Sequence, residues 1–170
     1  SRQWPQQINS IGTKMVGRAA DFKRLALPTG LGQECAMVIE PTLATRAAAA
    51  DLIGDVLRAR RSFGSAIARH DGLAAMSARD RAFVHNLAIT TLRRLGTIDH
   101  LLGLCLKRPL PRRAQQVRDI LRIGFCQLLF MQVADHGAVA TSVELTRQLG
   151  HSAHIKLVNA VLRRLAREGA

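Results

Sequence analysis

From Thr42 onward, apolar residues recur three and four positions apart, and no stretch of useful length alternates apolar with polar. This spacing fits the helical repeat and not the two-residue repeat of a half-buried strand. It predicts an all-α fold, a compact bundle of six or seven helices. The pattern predicts helices over 43–59 and 63–70, from Ser77 to about 95, from Thr97 or Ile98 to about 106, over 113–131 and 138–149, and from Ser152 to the end. Ser77 and Asp80 form a Ser-x-x-Asp start signal. Gly96 and Gly150 are read as stops, and Asp71-Gly72 as another. The segment 113–131 is apolar on most sides, so it belongs in the centre of the bundle. Gly124 in its middle is costly for a helix, which points to close approach of a neighbouring helix there.

Residues 1–41 differ. Their periodicity is poor, and Pro5, Pro28 and Pro41 interrupt them. They read as a poorly ordered N-terminal arm or an extension, with Met37 a candidate native start, and residues 42–170 as the helical domain.

Composition narrows the function. The chain has 25 basic and 12 acidic residues, a formal net charge of +13. Only Lys14, Lys23, Lys107 and Lys156 are lysines. Residues 42–170 hold twenty basic against nine acidic residues, so the domain itself carries the excess. Such a balance suits a polyanionic partner. Cys35, Cys105 and Cys126 show no CxxC spacing; Cys105 and Cys126 sit in apolar runs and read as small buried residues. A reducing cytoplasm follows as the expected compartment. The run from Ile123 to Met131 is too short to span a bilayer, so no membrane partner is expected.

Neither GxGxxG nor a P-loop is present, and there is no GxSxG or HExxH. His151 and His154 lack further ligands at zinc spacing. No catalytic, cofactor or metal site is expected in this chain. Arginines at helix ends, such as Arg93, Arg94 and Arg167, have an explanation in the helix dipole. Lys107, Arg108, Arg112 and Arg113 bracket the Pro109–Pro111 turn, where the dipole does not favour them. They are the better functional candidates for contact with a polyanion. Asn159 reads as a buried amide, and Glu144 as the partner of a nearby arginine.

Several segments in order carry a resemblance: Asp80–Val84, Thr91–Leu102, Arg108–Leu110, Ile120–Phe130, Val143–Leu145 and Lys156–Leu165. Together they resemble the NusB-like helical domain over about residues 43–167. That family is an all-α RNA-binding fold. It occurs alone as an antitermination factor and fused ahead of the methyltransferase that makes 5-methylcytosine in small-subunit ribosomal RNA (the RsmB, or Sun/Fmu, family). Leu92–Gly96 and Val161–Leu165 look like the second branch. The resemblance makes the polyanionic partner RNA, so Lys107, Arg108, Arg112 and Arg113 become candidate RNA contacts. It adds Arg46 as another, because it matches the arginine with which such domains open. Ala160 departs from the usual glycine. The Gly-rich S-adenosylmethionine loop and paired Pro-Cys motifs of the methyltransferase module are not in this sequence. S-adenosylmethionine is therefore expected only if such a module is attached at the C-terminus.

The implied function is an RNA-binding accessory domain of a ribosomal RNA cytosine-5 methyltransferase. The alternatives are a stand-alone antitermination factor and a helical adaptor whose charge is incidental. The expected partner is RNA, ribosomal by the resemblance. The expected protein partner is a fused methyltransferase domain or a ribosomal or transcription protein.

Overall fold

The computed structural model describes residues 43–131 and 133–168; the readings for residues 1–41 and Met37 lie outside them. Eight α-helices follow in order: α1 Leu43–Leu57, α2 Phe63–Ala68, α3 Asp71–Ala74, α4 Ala78–Arg93, α5 Leu95–Cys105, α6 Gln115–Phe130, α7 Asp135–Gln148 and α8 Ile155–Glu168. Single 3₁₀ turns, Arg112–Ala114 and Ser152–His154, lead into α6 and α8. No strand occurs among the described residues. The fold is the all-α bundle that the spacing predicts.

Several boundaries depart from the sequence reading: α1 ends at Leu57 rather than 59, α7 opens at Asp135 rather than 138, and two others need a reason. The segment expected only to end α2 coils into the extra turn α3. His70 is extended, and Asp71 then stands in the first turn, where its charge suits the helix dipole. Gly96 stops no helix. The chain bends at Arg94 (φ −102, ψ 11) and restarts at once, with the Ile98 N–H donating to the Arg94 carbonyl at 2.9 Å. A Cβ on Gly96 would meet nothing within 4 Å, so this glycine merely lies in α5's exposed first turn.

Other signals act as read. The Ser77 hydroxyl accepts from the Asp80 N–H at 3.1 Å and caps α4. Gly150, at φ 76, closes α7; its N–H donates to the Arg147 carbonyl, and the His151 N–H to the Thr146 carbonyl, both at 3.0 Å. This is the left-handed helix ending that glycine adopts without strain.

Helix α6 is the axis of the bundle. It packs against α1, α4, α5, α7 and α8, and ten of its sixteen residues are buried. A Cβ on Gly124 would lie 2.8 Å from Leu162 Cδ2 and 3.2 Å from Ser142 Oγ, so the bare backbone admits α7 and α8. Buried hydroxyls are satisfied within their own helices: Thr91 donates to the Leu87 carbonyl, Ser142 to Ala138 and Thr146 to Ser142.

Candidate nucleic-acid interface

A charged network fixes the start of α6. Arg122 grips Asp99 with two hydrogen bonds, Nε to Oδ1 at 2.8 Å and Nη2 to Oδ2 at 2.7 Å, and reaches Asp119 with Nη1 at 2.9 Å. Burial alone would lower the Arg122 pKa, but its bonds to Asp99 and Asp119 outweigh that and hold it above the ordinary value. The second oxygen of Asp119, a residue only 1% exposed, accepts from Arg58 at the C-terminal end of α1. A Cβ on Gly54 would collide with the Arg58 guanidinium, so glycine there leaves room for Arg58 to lie back along α1. On another side, His151 Nε2 and Gln116 Oε1 meet at 2.9 Å. The end of α1 and the α7–α8 turn therefore both abut the start of α6.

That end of the bundle is strongly basic. Segments 58–61 and 107–118 contain eight basic residues and no acidic one. Lys107, Arg108, Arg112 and Arg113 are exposed, and none has a hydrogen bond or ion pair among the described residues. Arg112 and Arg113 lie on the 3₁₀ turn ahead of α6, after extended Pro111, rather than in the first turn of α6 itself. Arg60 and Arg61 share this end through the Arg58–Asp119 contact. Sequence spacing did not join them to residues 107–113, because the link spans 61 positions.

Arg46 does not belong with them. Its side chain is 0% exposed, Nε donates to Gln127 Oε1 at 2.8 Å, and its guanidinium lies 5.8 Å from the Phe83 ring centroid. A group enclosed this way joins α1, α4 and α6, whereas the sequence reading offered it as an RNA contact.

Of the arginines outside this end, several are engaged, though Arg93 and Arg167 are exposed with no partner among the described residues. Arg163 donates to Asn159 Oδ1 at 2.9 Å, Arg164 donates to Glu168, and Arg94 lies over the Phe130 ring. Asn159 is half-buried and serves Arg163, so it is not the buried amide expected. Glu144 does pair with a nearby arginine, Arg147. A groove of about 650 Å³ between α7 and α8, lined by Val139, Val143, Asn159 and Arg163 among others, lies toward the opposite end. No described helix is long and apolar enough to cross a membrane.

The NusB family model matches residues 43–167. Similar proteins carry the name ribosomal RNA small subunit methyltransferase B. That of Xanthomonas campestris is 38% identical over 128 residues, covering 75% of this chain and 29% of the relative. That of Shewanella oneidensis is 32% identical, covering 72% of this chain and 28% of the relative. One from Xylella fastidiosa is 40% identical over 90 residues, covering 53% and 21%. The chain thus spans less than a third of the length of these curated relatives.

Proposed function

The chain belongs to the NusB family, and from that premise we propose that it is the RNA-binding accessory domain of a ribosomal RNA cytosine-5 methyltransferase, acting in the cytoplasm. The domain binds the RNA phosphate backbone through Lys107, Arg108, Arg112 and Arg113. The observation that carries this reading is four exposed cations, unpaired among the described residues, gathered within 107–113 beside the start of α6, whereas other exposed and unpaired arginines such as Arg69, Arg79 and Arg167 stand apart in the sequence. Guanidinium groups offer paired donors that match phosphate oxygens. The relatives' names favour the methyltransferase branch over a stand-alone antitermination factor.

The methyl transfer itself belongs to a separate catalytic module. The described residues contain no strand leading through a Gly-rich loop into a helix, the usual cradle for such a cofactor, so they do not fit S-adenosylmethionine and no chemical step is assigned to them. The test is binding of a labelled fragment of small-subunit ribosomal RNA, measured by fluorescence anisotropy beside duplex DNA of equal length. Saturable binding with preference for the RNA is expected. Equal binding to both, or to neither, overturns the reading.

A further inference from the structure

The turn after α1 holds a backbone conformation that its side chain disfavours. Arg60 has φ 52, the one positive φ outside glycine among the described residues. In this left-handed region a Cβ crowds the backbone, and glycine is the default. The conformation closes α1, since the next N–H, that of Arg61, returns to the Asp55 carbonyl at 3.2 Å. A glycine would close the helix equally well without strain.

No contact among the described residues accounts for arginine here. The Arg60 side chain is exposed and makes no hydrogen bond or ion pair among the described residues. Its neighbours are both committed: Arg61 pairs with Asp55 at 3.0 Å, and Arg58 with buried Asp119. The Asp119 contact clamps the turn beside the start of α6, which Arg112 and Arg113 immediately precede. Strained residues persist where surrounding structure holds them, and they concentrate at binding sites.

We infer that Arg60 is a phosphate-binding residue, set out from the end of the bundle by this strained turn, and that it forms one phosphate-binding face with Arg112 and Arg113. The assignment rests on the RNA-binding reading above. Asp119 acts through Arg58 and is a positioning residue.

The experiment compares the 170-residue chain with its Arg60→Gly and Arg60→Lys variants. Anisotropy follows binding of the labelled ribosomal RNA fragment across a salt series, and circular dichroism follows thermal unfolding. Arg60→Gly should raise the thermal midpoint by about 2–4 °C, because strain is relieved in a domain of this size. The same change should weaken RNA binding about five- to eightfold at 0.1 M salt and flatten the salt slope by about 0.7–0.9, as expected for one lost phosphate contact. Arg60→Lys should keep the wild-type midpoint and most of the slope. Wild-type affinity in Arg60→Gly overturns the assignment, and so does a midpoint below that of the wild type. If the wild-type chain fails to bind RNA at all, the RNA reading itself falls. Binding by the wild type with an unaffected Arg60→Gly removes only the role of Arg60.

Discussion

Replacing Arg46 separates packing from RNA contact. Arg46→Met keeps much of the side-chain length but removes the Nε–H that donates to Gln127 Oε1 at 2.8 Å inside the core. A hydrogen bond to a charged group contributes about 1.5–3 kcal/mol. The guanidinium near the Phe83 ring adds about 1–2 kcal/mol, since the pair is desolvated but near the outer limit of such contacts. Escape from burying a charge offsets part of this. The expected loss is about 2–3 kcal/mol for Arg46→Met, and about 4–5 kcal/mol for Arg46→Ala, which also leaves a cavity. At about 4 °C per kcal/mol, Arg46→Met should melt about 8–12 °C below the wild type. Urea unfolding followed by circular dichroism gives the stability. Anisotropy, at a temperature where both chains are folded, gives the RNA affinity, which should stay within about twofold because the residue is 0% exposed. Unchanged stability together with lost RNA affinity would refute the reasoning and restore Arg46 as a contact residue.

Other consequences are equally concrete. Gly124→Ala gains helix propensity but drives a Cβ to 2.8 Å from the buried Leu162 side chain, so a net loss of about 1–2 kcal/mol is expected in urea unfolding. Burial pushes the Cys105 and Cys126 thiols from the ordinary 9.0 up to about 11. Thiolate at these two sites at pH 8 should then be about a hundredfold scarcer than in the unfolded chain, and site-resolved iodoacetamide labelling should be correspondingly slow. Because the folded pKa is raised, this contribution to stability is complete below pH 9 and is lost as the pH rises toward 11. Unfolding curves at pH 8 and pH 10.5 should differ in that direction.

Most of the fold was legible because local chemistry set it. Ser77 and Gly150 act within one helical turn of themselves, and the apolar breadth of α6 follows from its own composition. The break between α4 and α5 was read about two residues late, because Gly96 gave a stop signal and the backbone turned at Arg94 instead. The burial of Arg46 had a signal that the sequence reading did not use. It lies three, four and seven positions before Ala49, Ala50 and Ile53, all buried, so the period of α1 turns it inward. The candidate site was half legible. Residues 107–113 stand together in the chain, whereas the addition of residues 58–61 depends on the Arg58–Asp119 contact. The strain at Arg60 has no sequence signature, because arginine occurs throughout this chain and φ is set by how α1 closes.

The central claim, that the basic end of the bundle binds RNA, is tested most directly by the salt dependence of RNA affinity in two double variants. Arg112→Ala with Arg113→Ala removes two exposed cations that have no partner among the described residues. Arg163→Ala with Arg164→Ala removes two that are engaged by Asn159 and Glu168. The first pair should flatten the slope of log affinity against log salt by about one unit or more, with helical content intact, since each phosphate neutralised on a single strand contributes about 0.7. The second pair should change the slope by less. A larger loss of RNA affinity from Arg163 and Arg164 than from Arg112 and Arg113 would put the binding face at the opposite end of the bundle and contradict the account.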